Sequence, residues 1–310
     1  MKNKRRKCLS GIINHCYQNT QNGYLLFYDD LDYLVYFTIV CTVSRKHDIR
    51  IVGLSLMPDH VHSSNVVNNK KELSACIQEA TCLYAFFNNT ECNRRGSLFR
   101  HRFGSAPKIG DKAARTNIIY LGNNPVERHL CEKAEEYKWG FIPYAIIPNP
   151  FSAPIVIKEA SKALKYAIRC VKNQFNLNKP LSYPLLRRLY RPLDEKENLQ
   201  LTDFIISLFN VIDYDYTISF FGSYDNMLHA MHCTTGKEYD LNEVFVGKTD
   251  KKYAEVTTYL KNSLHVSDIH HVLALPEDRR TELFFDVLKN VDIPAVQLAK
   301  YLRLIIKRDS

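Results

Sequence analysis

The sequence predicts an α+β protein in which helices pack on one side of an antiparallel sheet. Three observations support this fold class. Short apolar segments follow one another in the order strand, helix, strand, strand, helix, and a further helix comes after them. A tight turn at Pro58-Asp59 joins two of these strands as a hairpin. Beyond a proline-rich segment near residue 150, most of the apolar periodicity is helical.

Local patterns define each element of the first half. Asp30 is a suitable helix cap, and a stripe of apolar residues from Leu73 to Phe87 has the spacing of an amphipathic helix. A helix is expected to end before Pro125, because the residue before proline disfavours the helical conformation. The expected elements are a strand region over 11–28 with a turn at 21–23, a helix over 30–47, strands over 50–57 and 60–67, a helix over 71–88, a basic loop or short strand over 94–102, and a helix over 112–124. This βαββα order is typical of ferredoxin-like folds.

Four prolines within residues 142–154 mark the best domain boundary. We therefore expect one domain over residues 1–148 and a mainly helical one over 149–310. Residues 279–308 hint at a helix-turn-helix, although the turn lacks glycine and a plain helix pair fits better. Helices are expected over 157–175, 201–209, 251–262 and 279–290.

Composition restricts the class of function. No run of 18 apolar residues exists, and the basic N-terminus is not followed by an apolar core, so we expect neither a membrane span nor export. The nine cysteines include no CxxC pair, which argues against a zinc ribbon or a disulfide framework and favours a cytoplasmic protein. Of the formal charge of +9, most belongs to residues 1–150. A basic domain suits a polyanion such as nucleic acid, and an ordinary basic protein is the alternative.

Two pairs of residues have spacings that suit chemistry. His60 and His62 lie two apart in a predicted strand, so their side chains point the same way and can share a cation. The turn before them places the pair at a strand start, where we expect an accessible site. Tyr120 and Asn124 lie four apart on one face of a predicted helix, away from that helix's own apolar stripe. Taken alone, the histidines are more often structural, and the tyrosine is more often a surface or boundary residue.

Four segments, in order, resemble the signature of single-tyrosine HUH transposases, in particular the REP-associated tyrosine transposases. Residues 56–62 (LMPDHVH) resemble the family's MP(N/D)HVH motif, and residues 120–126 (YLGNNPV) resemble its Tyr-x-x-x-Asn-Pro-Val element. Residues 95–103 (RGSLFRHRF) and 136–139 (EYKW) are similar to its Gly-x-Leu-(Phe/Trp)-x-x-Arg-Phe segment and its Tyr-x-Trp close. The resemblance covers about residues 12–145. One departure is Gly122, where the family often has histidine.

The resemblance implies an HUH nuclease fold and a role for each matched residue. His60 and His62 would be paired metal ligands, Asn124 the third ligand, and Tyr120 the nucleophile that forms a 5′-phosphotyrosyl DNA. Two imidazoles and an amide oxygen suit Mg²⁺ or Mn²⁺ better than a closed zinc site. The implied partner is single-stranded DNA with hairpins, handled in the bacterial cytoplasm by a monomer or a homodimer.

The segment between the two motifs has the composition of a DNA contact. Its basic residues surround Phe99 and Phe103, and we expect the phenylalanines to point inward and the cations outward. The candidate DNA-binding residues are Arg94, Arg95, Arg100, His101 and Arg102. Two alternatives to a strand-transferase remain open from sequence: a decayed or domesticated protein that binds DNA hairpins without cleavage, and an unrelated metalloenzyme that uses the histidine pair.

Overall fold

The first half of the chain forms a four-stranded antiparallel sheet. The computed structural model describes residues 7–100, 102–233 and 250–305. Neighbouring strands are antiparallel, and their order across the sheet is β2-β3-β1-β4. The strands are β1 (Ile13–Asn19), β2 (Arg50–Met57), β3 (His60–Val66) and β4 (Gly104–Pro107).

Helices make up most of the rest of the described chain. Among them, none combines the length and apolar character needed to cross a bilayer. Three helices belong to the first half: α1 (Asp30–Lys46), α2 (Lys70–Glu91) and α3 (Gly110–Glu127). The second half contains α4 (Lys162–Asn176), α5 (Tyr183–Tyr190), α6 (Glu195–Phe209), α7 (Tyr214–Ser219), α8 (Tyr224–Cys233), α9 (Lys252–Ser263), α10 (His270–Leu273), α11 (Glu277–Asn290) and α12 (Ala295–Tyr301).

The predicted hairpin between β2 and β3 is confirmed. Met57 pairs with His60, so Pro58 and Asp59 form a two-residue turn. The turn makes His60 the first residue of β3, and His62 follows it on the same face of the sheet. The hairpin therefore fixes the position of both histidines.

The expectation that helices lie on one side of the sheet is correct for α1 and α2 and wrong for α3. Apolar residues of α1 and α2 pack against one face, which presents Leu54 and Val61. The third helix, α3, covers the opposite face, where Leu121 lies against Gly53 of β2. A side chain at position 53 would come within 3.1 Å of the Leu121 Cδ2 atom, so the glycine permits this close approach.

Two boundaries differ from the sequence prediction. The third helix continues through Pro125 to Glu127 rather than ending at Asn124. A proline in the last turn removes one N–H but leaves the following turn intact, because the Arg128 N–H still donates to the Asn124 carbonyl at 3.2 Å. In the basic segment over 94–102, Phe99 forms an isolated bridge with Thr20, and the strand β4 begins after this segment.

Residues on both sides of the predicted boundary at 148/149 share a buried core. One cluster contains Leu34 of α1 together with Ile205 of α6, and another contains Tyr28 together with Tyr301 of α12. The division into two domains stays a prediction, as does the helix-turn-helix. The helix α12 is seven residues long with four of them buried, and residues 306–308 lie outside the described part of the chain.

Candidate metal and nucleophile site

The four side chains predicted to form a site meet where α3 covers the sheet. The ring centroids of His60 and His62 are 4.8 Å apart. The Tyr120 hydroxyl lies 3.4 Å from the His62 Nε2 atom, and the Asn124 Nδ2 atom lies 3.5 Å from the same nitrogen. A histidine pair from a strand and a tyrosine–asparagine pair from a helix therefore converge on one small volume.

Packing of α3 on the sheet positions the tyrosine–asparagine pair. Ala114, Ile118 and Leu121 are buried on this helix and hold it against the sheet. Since Tyr120 and Asn124 are one helical turn apart, both side chains then project toward β3. The sequence pattern placed these residues on one helical face. In the structure, that face packs against the sheet, which brings both side chains next to His62 of β3.

A carboxylate orients His60. The His60 Nδ1 atom is 2.6 Å from an Asp59 oxygen, a distance at which the ring N–H donates to the carboxylate. Burial alone would raise the pKa of Asp59, but its neighbour His60, which also donates a hydrogen bond to it, and the nearby Arg128 and Lys300 lower it to about 2. Asp59 is therefore ionised and holds His60 with its Nε2 lone pair facing away from the carboxylate.

A chain of hydrogen bonds, rather than a carboxylate, orients His62. Its Nδ1 atom is 3.1 Å from the Nε2 atom of His15 on β1. The other nitrogen of His15 is 2.7 Å from the Asn117 amide nitrogen, and the Ser64 hydroxyl donates to the Asn117 amide oxygen at 2.7 Å. These four buried side chains form a hydrogen-bonded chain that ends at the site.

The direction of this chain determines which nitrogen of His62 carries the proton. With the Asn117 amide nitrogen donating to His15, the His15 Nε2–H donates to His62, and the His62 Nε2 atom carries a hydrogen. Rotating the Asn117 amide by half a turn reverses every bond, so His62 donates to His15 and its Nε2 lone pair becomes available. Asn117 and His15 thus set the form in which His62 can bind a cation.

Burial keeps these imidazoles neutral. It lowers the pKa of His15 to about 3, with a smaller contribution from Lys108. The pKa of His62 falls well below its ordinary value through burial and through the neighbouring His60, His15 and Arg128. Neutral imidazoles at physiological pH are what a metal ligand requires.

The residues present fit a divalent cation. Among the described residues, the buried His60 Nε2 and Asn124 Oδ1 atoms have no hydrogen-bond partner. Both are ligand atoms of a type that binds Mn²⁺ or Mg²⁺, and they belong to side chains that lie beside His62. Two imidazole nitrogens and one amide oxygen would leave such an ion with vacant positions for a substrate.

The site is more enclosed than the sequence predicted. We expected an accessible strand start and a tyrosine that lies outside the core, but Tyr120 and His62 are each 1% exposed. The expectation was wrong because the helical periodicity identifies only the apolar stripe of α3. In the structure, the face that carries Tyr120 and Asn124 is also buried against the sheet. Residues of the second half contribute here, since Arg128 lies 3.7 Å from the Asp250 carboxylate as well as 3.8 Å from Asp59.

A second group of possible ligands lies elsewhere. Asp29, Asp268 and His270 present ligand atoms within 4.8 Å of one another. His270 uses both ring nitrogens, one 2.7 Å from Asp268 and the other 3.0 Å from Asp32. Flanking carboxylates raise the pKa of His270 well above its ordinary value despite burial. This group therefore forms a buried ion-pair network, in which His270 has no lone pair to offer a metal.

The basic segment divides into a structural part and an exposed part. Arg94 holds the loop in place by donating to the Asn89 side-chain oxygen at 2.8 Å and to the Ser97 carbonyl at 2.7 Å. The other described cations predicted to bind DNA, Arg95, Arg100 and Arg102, are exposed, whereas Phe99 and Phe103 are buried. The predicted orientation is confirmed for these residues, and His101 lies outside the described part of the chain.

Sequence reasoning missed the residues that support the histidines. Asp59 directly precedes His60, and an acid beside a candidate ligand was a usable signal. His15 lies two residues from apolar Ile13 and from aromatic Tyr17 along β1, which places all three on one face of that strand. Nothing local pairs His15 with His62, because 47 residues separate them.

Comparison with known proteins adds little beyond this geometry. No family model matches the chain, and no curated protein matches it. A solved structure of a REP-associated tyrosine transposase bound to a REP hairpin is similar with a TM-score of 0.41 at 16% identity, over 47% of this chain and 86% of that chain. What the site can do therefore follows from the arrangement of its own side chains.

Proposed function

We propose that this protein is a metal-dependent DNA nuclease and strand-transferase that cleaves single-stranded DNA through Tyr120. One observation carries the proposal: a phenol hydroxyl, a histidine pair and an amide oxygen converge in one enclosed volume, where two buried ligand-type atoms lack partners. The motif resemblance accords with this role. The order β2-β3-β1-β4 within a βαββαβ succession supports a ferredoxin-like sheet of the HUH kind.

His60, His62 and Asn124 would hold the ion, Mg²⁺ or Mn²⁺. When bound, the ion would polarise a non-bridging phosphate oxygen and add positive charge beside the phenol. Asp59 keeps the His60 proton on Nδ1, and the chain through His15 does the same for His62 when the Asn117 amide is turned so that its oxygen accepts from His15. In that arrangement both imidazoles present the Nε2 lone pair to a ligand.

Tyr120 would attack the scissile phosphorus in line with the leaving 3′-oxygen. A bond forms between the phenolic oxygen and phosphorus, and the bond from phosphorus to the 3′-oxygen breaks. The phenol loses its proton and the 3′-oxygen gains one, so the products are a 5′-phosphotyrosyl strand and a free 3′-hydroxyl. Attack by a second 3′-hydroxyl reverses these steps and joins the strands without an added energy source.

The basic face of the first half would bind the substrate. Arg95, Arg100 and Arg102 are exposed and suited to phosphate contacts, while Arg94 holds their loop. The proposed substrate is single-stranded DNA with hairpins, bound by a monomer or a homodimer.

A covalent-adduct assay tests the proposal. The protein is incubated with Mn²⁺ and a labelled single strand that carries a hairpin, and an adduct stable in SDS is sought. We expect an adduct with wild type and with the control Tyr166→Phe, whose ring is 43% exposed on α4, and none with Tyr120→Phe. DNA binding without an adduct would favour a decayed hairpin-binding protein, and the absence of DNA binding would favour an unrelated metalloenzyme.

A further inference from the structure

A groove of about 790 Å³ lies between α2 and the basic loop that follows it. One wall is a stripe along α2 that runs from Ser74 to Asn89, and the other is formed by residues 97–100, 102 and 103. The buried rings of Phe99 and Phe103 form part of this second wall. The groove is separate from the Tyr120 site, because it lies on the side of the sheet that faces α1 and α2.

The charge of the groove suits an anion. Arg100 and Arg102 both line it and are both exposed. Of the lining residues that the structure describes, none is acidic. Two guanidinium groups without a neighbouring carboxylate on the same surface form a site for successive phosphates.

An exposed aromatic ring lies in the same groove. Phe86 is 64% exposed on α2, whereas the other large apolar residues of this helix are buried or partly buried. Around it the helix presents polar side chains such as Gln78 and Thr81. A solvent-exposed ring beside cations and amides is the combination that binds unpaired bases, which stack on the ring while their phosphates contact arginine.

The groove is continuous with the end of the sheet that carries the histidines. Asn19 of β1 pairs with His60, and the Arg100 N–H donates to the Asn19 carbonyl at 3.0 Å. The neighbouring Gln18 lines the groove, whereas Tyr17, 41% exposed, lies on the Tyr120 side with its ring 6.5 Å from that of His62. A DNA strand that leaves the site can therefore pass over Tyr17 and the edge of the sheet into the groove.

We propose that this groove binds an unpaired nucleotide segment of single-stranded DNA that flanks the cleaved phosphate, with a base stacked on Phe86 and phosphates on Arg100 and Arg102. The proposal rests on the proposed function for the identity of the substrate. It adds a second contact with DNA on the opposite face of the sheet from the chemistry.

Stacking is tested with an oligonucleotide that carries the fluorescent base 2-aminopurine. We expect wild type to quench its fluorescence on binding, and Phe86→Ala to lose the quenching and to bind the strand about tenfold more weakly or worse. The matched control is Phe285→Ala, which removes a ring that is 56% exposed on α11. This control should leave both affinity and quenching unchanged.

The phosphate contacts are tested by the salt dependence of affinity. Replacing both Arg100 and Arg102 by alanine should reduce the slope of log affinity against log salt by about 1.4, since each phosphate contact to a single strand contributes about 0.7. The control replaces Arg188 and Arg191, which are exposed at the end of α5, and should leave the slope unchanged.

The outcomes separate this proposal from the one on which it rests. If the groove variants keep the wild-type salt dependence of affinity and the wild-type quenching of 2-aminopurine, the groove proposal is wrong, even if Tyr120 forms an adduct. If DNA binding depends on the groove residues but no adduct forms, the groove proposal holds and the strand-transferase proposal is wrong. If the wild-type protein binds polyglutamate as tightly as it binds DNA, or binds no single-stranded DNA, then single-stranded DNA is not the ligand of the groove and the groove proposal fails.

Discussion

Replacing Asp59 by alanine should weaken metal binding at the proposed site although no ligand is changed. In the wild type, the 2.6 Å contact between Asp59 and the His60 Nδ1 atom fixes the proton on that nitrogen. Without the carboxylate, the His60 ring is free to rotate and to exchange its proton to Nε2. Removing such a partner behind a ligand costs about 10- to 100-fold in metal affinity, which corresponds to about 1.4 to 2.8 kcal/mol.

The two possible substitutions at Asp59 should differ. Asp59→Asn keeps an oxygen that accepts from His60 and loses only the charge, so its effect should fall at the lower end of the range. Asp59→Ala loses both, and it also removes one of the two carboxylates near Arg128. Asp111→Ala is the control, because this exposed acid on the first turn of α3 lies away from the histidines.

The assay is a Mn²⁺ titration followed by the electron paramagnetic resonance signal of the free ion. Thermal unfolding in a chelator shows separately whether each variant remains folded. Folded Asp59→Ala protein with a wild-type dissociation constant would refute the reasoning that Asp59 prepares His60. Wild-type protein without Mn²⁺ affinity would refute the metal site itself.

Three further predictions address other parts of the structure. His15→Ala should raise the Mn²⁺ dissociation constant about tenfold in the same titration, because His62 loses the partner that orients it; an unchanged constant would contradict the proposed chain. A Cβ at Gly122 would lie 2.7 Å from the Met231 sulfur, so Gly122→Ala should destabilise the protein by up to about 2 kcal/mol in urea unfolding, and should be neutral or stabilising in a Met231→Ala background. The pKa of His270 is raised by folding, so its contribution to stability is complete below pH 6.5 and is lost as pH rises through the folded pKa. His270→Gln should therefore cost about 3 to 5 kcal/mol at pH 6 and less at pH 9 in the same assay, and an equal cost at both would argue against the ion pair.

Local patterns predicted most helices and the central hairpin, because these depend on neighbours in sequence. The helix α1 begins at Asp30 as predicted, and β2 has the predicted bounds. The predicted cap was one residue off, because Asp29 rather than Asp30 accepts from two backbone N–H groups. The strand β4 was missed, since Gly104–Pro107 is short and begins and ends in residues of low strand propensity. It is a strand only because β1 pairs with it.

The same distinction applies to the candidate site. The spacing of His60 and His62 could be read from the sequence, since it depends on strand alternation alone. The partners of these histidines could not, because His15 and Asn117 meet only when β1, β3 and α3 assemble. The contact of His270 with Asp32 spans 238 residues and likewise has no local signal.

Burial strengthens the functional interpretation of the site, although it contradicts the accessibility we expected. A buried polar atom without a partner costs about 1 to 3 kcal/mol. The described residues keep such atoms elsewhere too, for example Thr42 Oγ1 and Asn88 Nδ2, so it is the position of the atoms that distinguishes this site. The His60 Nε2 and Asn124 Oδ1 atoms are two such atoms, on side chains that both approach His62. A tyrosine packed for stability alone would not require them, and an apolar pair at these positions would make a more stable core. Their retention beside the Tyr120 hydroxyl is explained if a cation, and then a phosphate, completes the site.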